Sequence, residues 1–247
     1  MNINLLTELE AQSLNALIDN AENIVIFSHR SPDGDAIGSS LGMAAYLKQR
    51  GKENVAVVVP DMFPNFLQWM PGADFILRYD KKKEEVEKTV SEADLMFCLD
   101  FNDASRTAEI EPFITESKAK KVLIDHHLDP NIDVEIKVSH PEACSTCELV
   151  FRIIWQLGGF DSMDKDVAVP IYCGMMTDTG GFTYNSNRPE IFFIISQLLT
   201  KGINKDKIYR NVFNNYSVWR LRLMGFVMYT KLNVFNEYHS SYFTLTR

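Results

Sequence analysis

Cysteine is scarce, with four in 247 residues: Cys98, Cys144, Cys147 and Cys173. Only CSTC, 144–147, has CxxC spacing. No second pair of that kind accompanies it, so a four-ligand structural zinc site is excluded. A redox pair needs a thioredoxin-like strand-to-helix setting, and buried thiols in a reducing compartment are the simpler reading. Long apolar runs are missing too. None approaches the ~20 residues that cross a bilayer, so no membrane partner is expected. The opening MNINLLTELE lacks the basic region and apolar core of a secretory signal, and a cytoplasmic protein is expected. Positive charge is in deficit: Lys and Arg number 25 against 33 Asp and Glu, a net charge of −8. That excludes following a long nucleic-acid duplex with a basic surface. It leaves room for a small anionic substrate held by metal ions.

What is present is an ordinary globular balance, 46% hydrophobic and 23% charged. The length allows one large domain or two smaller ones. Leu5, Leu6, Leu9, Leu14, Leu17 and Ile18 recur at near-helical spacing and predict an amphipathic helix over 5–20. Short β-branched or apolar runs predict buried strands: NIVIFS, NVAVVV (54–59), DLMFCLD (94–100) and KKVLID (120–125). Helical patterns lie between and after them: from Asp35 to Gly51, over KKKEEVEKTVSEA, and in five segments from CELVFRIIWQLGG to SVWRLRLMGFVMYTKL. The last segment, NVFNEYHSSYFTLTR, reads as a hairpin. Alternating strands and helices predict an α/β fold with a mostly parallel sheet flanked by helices.

Ligands of such sheets sit beyond the carboxyl ends of the strands. Three of these strands end in carboxylates or imidazoles. SHRSPDGDAIGSS, 28–40, supplies His29, Asp33 and Asp35. LDFND supplies Asp100. LIDHH supplies Asp125, His126 and His127. A helix ending MTDTGGF adds Asp178. Four converging carboxylates repel one another and are costly to desolvate. Two divalent cations balance Asp33, Asp35, Asp100 and Asp178 charge for charge. Mixed Asp and His donors without thiolate suit manganese or another fairly hard first-row ion, and paired ions are a standard device for phosphoryl hydrolysis. Gly34 is expected to give backbone freedom between the two aspartates, and Gly38 to allow close helix packing.

Taken in order, HRSPDGDAIGS, LDFND, LIDHH and MTDTGGF resemble the DHH phosphoesterase superfamily over about residues 20–190. MFPNFLQWMPGAD and DFNDASR are most similar to its nanoRNase/pAp phosphatase subfamily, which is RecJ-like and exopolyphosphatase-related. The resemblance implies that His29, Asp33 and Asp100 hold one Mn2+ and that Asp35, Asp100, His126 and Asp178 hold a second, with Asp100 bridging. Mg2+ or Co2+ are the implied substitutes. His127 would face the scissile phosphate as a catalytic donor, and Asp125 would orient an imidazole. Arg106 reads equally as a phosphate clamp or a surface arginine. Asn102 and Asp103 read as helix caps, as do Ser145, Thr146 and Glu148.

The implied activity is in-line attack by a metal-activated hydroxide on short oligoribonucleotides or 3′-phosphoadenosine 5′-phosphate. Exopolyphosphatase, pyrophosphatase or cyclic dinucleotide phosphodiesterase activity are the enzyme alternatives. A nucleotide-binding regulatory module is the non-enzyme one. Phe63, Phe66 and Trp69 serve either base stacking or the core. The expected partners are short RNA or an adenosine bisphosphate, with room for a homodimer. The family's second domain carries a glycine-rich GGGH-type motif, absent here, where Gly225 is the last glycine. The expected organisation is therefore a DHH domain over 1–190, a helical linker over 191–233, and the start of an incomplete substrate-binding domain over 234–247.

Overall fold

The computed structural model describes residues 2–246. Six strands form one sheet: β1 (Asn23–Phe27), β2 (Asn54–Val59), β3 (Leu77–Arg78), β4 (Leu95–Leu99), β5 (Lys120–Asp125) and β6 (Ile136–Ser139). Their order is β3-β2-β1-β4-β5-β6, and every pairing is parallel. The strand order reverses direction between β1 and β4. Two neighbouring strands thus send their connections to opposite sides, leaving a crevice beyond their carboxyl ends.

Parallel strands covered on both faces read as unbroken apolar runs, and β1 and β4 do so. Ile24 and Ile26 face one core with Phe97 and Leu99. Val25 and Phe27 face the other with Met96 and Cys98. The larger core is covered by α1 (Glu8–Asn20), α2 (Gly34–Gln49), α5 (Thr146–Gln156), α6 (Lys165–Asp178), α7 (Pro189–Thr200) and α8 (Lys205–Phe213). The smaller core is covered by α3 (Lys83–Ser91) and α4 (Glu111–Thr115). Thr7 starts α1 with a capping box: its hydroxyl accepts the Glu10 amide, and Glu10 accepts the Thr7 amide.

β3, β6 and α4 do not show in the sequence pattern. β3 has two residues and α4 five, too few for periodicity to register. β6, IKVS, has four residues; it pairs with β5 and buries Ile136 and Val138 in the main core. The helices α7 and α8, expected in a linker, bury Ile191, Ile194, Leu198, Ile208 and Val212 in the main core.

Contact between α2 and α6 is unusually close. A Cβ on Gly38 would stand 2.5 Å from the Pro170 carbonyl, and one on Gly34 would stand 2.3 Å from Thr177 Oγ1. Close packing at Gly38 is as expected. Gly34 is different: it is required because α6 leaves no room for a side chain, and its backbone is ordinary helix rather than left-handed.

Beyond Phe213 the chain forms α9 (Val218–Phe226) and an antiparallel hairpin of β7 (Asn233–Phe235) and β8 (Ser240–Tyr242). Of residues 214–246 only Val227 is buried. Among the described residues no helix is long and apolar enough to cross a membrane.

Candidate metal centre

Asp100 lies at the middle of the site. It is the first residue past β4, it is 2% exposed, and its φ is 67°. A left-handed conformation costs a non-glycine residue on the order of 1–3 kcal/mol. Its amide still donates to the Ile124 carbonyl (3.2 Å), so β5 fixes the turn. Its Oδ2 lies 3.5 Å from His29 Nε2. Its Oδ1 lies 3.6 Å from His126 Nε2 and 3.8 Å from His127 Nδ1. One carboxylate thus faces imidazoles delivered by the ends of β1 and β5, on either side of its own strand.

The start of α2 brings two more carboxylates. Asp33 is the N-cap, with Oδ1 accepting the amides of Asp35 and Ala36 at 3.0 Å each. Asp35 is buried, and its oxygens accept the amides of Thr146 (2.6 Å) and Cys147 (2.9 Å) from the first turn of α5. Asp178 is the last residue of α6. A carboxylate at the negative end of a helix dipole is misplaced unless a cation sits there.

Hydrogen bonds fix the rings. His29 Nδ1–H donates to the Arg30 carbonyl (2.7 Å), and His126 Nδ1–H donates to the Ala143 carbonyl (3.3 Å). Both leave Nε2 as the free donor atom toward the carboxylates. His126 Nε2 lies 3.5 Å from Asp178 and 3.8 Å from Asp35. His127 is turned the other way. Its Nδ1–H donates to Asp125 Oδ1 (2.7 Å), which leaves Nε2 outward. Asp125 is fully buried, and its Oδ2 has no partner.

Ligand-capable atoms fall into three overlapping groups, each within 4.8 Å: His29, Asp33 and Asp100; Asp35, His126 and Asp178; Asp100, His126 and His127. Burial pushes the Asp35 carboxyl well above its usual range, and repulsion from Asp100 and Asp178 adds to it, against the opposing pull of His126. Asp100 is raised in the same way, first by burial and then by Asp33, Asp178 and Asp125. Burial also raises Asp178. Carboxylates this crowded ionise together only with cations among them. The donor set of oxygen and imidazole nitrogen, without thiolate, fits divalent first-row ions.

The family described as "DHH family, N-terminal domain" matches residues 23–175. The chain belongs to the DHH family. Over 211 residues it is 33% identical to the bifunctional oligoribonuclease and PAP phosphatase NrnA of Thermus thermophilus, covering 84% of this chain and 58% of that protein. It is 26% identical over 180 residues to the cyclic-di-AMP phosphodiesterase PdeA of Listeria monocytogenes, covering 70% and 27%. An exopolyphosphatase-related protein of Bacteroides fragilis superposes with a TM-score of 0.93 at 50% identity, over 97% of this chain and 71% of that one. The chain therefore spans a little over half the length of its NrnA relative. The names of the NrnA and PdeA proteins refer to phosphoesterase activities of those proteins.

All eight motif residues from the four sequence segments meet at this crevice, Asp125 from beneath it. Arg106 joins them. It lines a cleft with Asn102, His126, His127, Leu128 and Pro141, and its Nη1 is buried without a hydrogen-bond partner. Asp103 caps the turn that follows it (2.9 Å to the Ser105 amide), whereas Asn102 reaches across to the Leu128 carbonyl (2.8 Å). The aromatic loop goes to the core: Phe63 is buried, and Phe66 and Trp69 pack against the main cluster. Ser145 is the N-cap of α5, as expected (3.1 Å to the Glu148 amide). Thr146 is not a cap, because its hydroxyl donates to Asp100 Oδ1 (3.0 Å).

Two further contributors escaped the sequence reading. The Cys147 amide holds Asp35, so half of the CxxC segment serves the site through its backbone. Asp61, just past β2, accepts the Ser31 amide (2.6 Å) and so ties down the loop between His29 and Asp33. It is a fourth strand-end aspartate, and that position was its only signal.

Proposed function

We propose that this DHH chain is the metal-binding part of a manganese-dependent phosphoesterase acting on short oligoribonucleotides, 3′-phosphoadenosine 5′-phosphate, or both. The observation that carries the reading is the division of Asp100. One of its oxygens faces His29, the other faces His126, and each histidine belongs to a separate ligand group. In this reading His29, Asp33 and Asp100 hold one ion, and Asp35, Asp100, His126 and Asp178 hold the other. Mg2+ or Co2+ would substitute for Mn2+. When bound, two such ions activate water at neutral pH and neutralise phosphoryl oxygens.

The remaining work falls to the chain's own groups. Asp125 holds the proton of His127 on Nδ1, so Nε2 is presented to the cleft to exchange a proton with the leaving oxygen. Arg106 offers a guanidinium edge with an unmet donor to a phosphate, which it can grip bidentately. The NrnA relative supports the nucleotide substrates. Four unpaired, buried cysteines suit a reducing compartment and support action in the cytoplasm.

A second reading, polyphosphate or pyrophosphate hydrolysis, draws support from the Bacteroides neighbour. A third, cyclic dinucleotide cleavage, draws it from PdeA. One panel separates them: full-length protein with Mn2+ is offered 3′-phosphoadenosine 5′-phosphate, a diribonucleotide, polyphosphate, pyrophosphate and a cyclic dinucleotide. The first two are expected to turn over fastest. Preference for any other would overturn the leading reading.

A further inference from the structure

The first turn of α5 touches two buried carboxylates of the site, Asp35 and Asp100. The Thr146 and Cys147 amides take one oxygen each of Asp35. The Thr146 hydroxyl takes Oδ1 of Asp100. Thr146 is fully buried. Its hydroxyl spans from a helix start to a strand end 46 residues earlier in sequence, so it is not serving local helix formation. We propose that Thr146 is a positioning residue that sets the plane of the Asp100 carboxylate, and through it both cation sites together. The inference rests on the two-ion reading above.

A carboxylate shared between two ions must present each oxygen in one direction. Asp100 has a left-handed backbone and a single Cβ–Cγ bond about which its carboxylate turns. Among the described residues Oδ2 accepts no hydrogen bond and faces His29 Nε2 at 3.5 Å. Oδ1 has Thr146, whose hydroxyl stands on a rigid helix and is a charge-assisted donor. With that bond in place, Oδ1 points to the His126 side and Oδ2 to the His29 side. Without it no hydrogen bond opposes rotation about Cβ–Cγ, and the two oxygens move as one body.

The helix start is itself anchored. Glu148 is fully buried and accepts from the Cys144 amide (2.8 Å), Arg152 (3.1 Å) and Arg188 (2.6 Å). Two of these donors flank Glu148 within α5 and its lead-in, and Arg188, 40 residues on, ties the turn that carries Thr146 to the start of α7. The position of its hydroxyl is therefore determined by the fold and not by the cations.

Partners that orient a ligand change metal affinity by about 10–100-fold when removed. Thr146→Val keeps the β-branched shape and deletes only the hydroxyl. Thr146→Ser keeps the hydroxyl. Mn2+ binding to the full-length protein, followed by EPR of the free ion and by calorimetry, reads affinity and stoichiometry without turnover. The expected result is wild type binding two ions, Thr146→Val weakening both by about 10–100-fold, and Thr146→Ser restoring both. Thermal unfolding of the metal-free variants checks that the fold survives. If wild type binds two ions and Thr146→Val matches it at both, the positioning role is wrong and the two-ion reading stands. If Thr146→Val weakens only one, Asp100 is not controlled as a shared ligand and the inference is likewise overturned. If wild type itself binds fewer than two ions, the two-ion reading fails and the inference falls with it.

Discussion

The floor and the rim of the crevice are built differently. On the floor, Asp35 and Asp100 are buried and each has hydrogen-bond donors from α5. Asp125 is buried beneath His127. On the rim, Asp33, Asp178, His127 and Arg106 are partly open to solvent. A floor group is oriented by protein before any ion arrives, at the expense of desolvation. A rim group keeps its freedom until substrate or ion fixes it. The floor should therefore control whether cations bind at all, and the rim how one ion or the substrate is used.

The largest effect should come from the floor. Asp100→Asn removes the charge of the carboxylate proposed to be shared, and loss of Mn2+-dependent hydrolysis by about 10³-fold or more is expected, with both ions lost in calorimetry. Retained binding of two ions would erase the contrast between floor and rim. On the rim, Asp178→Asn touches only one ligand group. A fall of about 10²-fold is expected, with one ion still bound. Equal damage from the two variants would mean the floor has no privileged role.

Chelation probes the floor's cost. Asp35 and Asp100 are raised above the ordinary carboxylate value of 3.8 in the folded chain. The folded state then holds protons that the unfolded state releases, so the metal-free protein loses stability as pH rises from about 3.8 through the raised values. Melting of the chelated protein should fall as pH rises above about 3.8, and Mn2+ should restore it at the upper end of that rise. A melting temperature indifferent to both would show the floor to be unstrained.

Arg106→Ala should act on substrate alone, raising KM about tenfold, or ~1.4 kcal/mol, with kcat nearly unchanged. A fall confined to kcat would move Arg106 from grip to chemistry. The smallest effect is expected of the thiols. Burial pushes Cys98 and Cys173 up to about 12 and raises Cys144 and Cys147 as well. Iodoacetamide should label none of the four in the folded protein at pH 8 and all four after unfolding. Native labelling of Cys147 would show that the turn gripping Asp35 opens.

Much of the molecule was legible in the chain. The strands β1, β2, β4 and β5 announce themselves because buried parallel strands are continuous apolar runs, and a run of five or six such residues is visible without neighbours. The site was legible for the same reason. Polar residues directly after such runs have nowhere to go but the crevice beyond the sheet. β6 was not legible, because an alternation of two apolar residues, Ile136 and Val138, is too short to register without its partner strand. The aromatic loop around Trp69 read both ways, since a buried ring and a stacking ring are the same residue in different company.

The sequence by itself determined the types of candidate ligand and their strand ends: carboxylates and imidazoles after β1, β4 and β5, and Asp178 at the close of a helix. Those follow from local chemistry along the chain. Only the tertiary structure decided which oxygen of Asp100 faces which histidine, that Gly34 exists to admit α6, and that Thr146 serves Asp100 rather than its own helix. Each of these depends on atoms far apart in sequence meeting within hydrogen-bond or van der Waals distance, and no spacing along one chain specifies that.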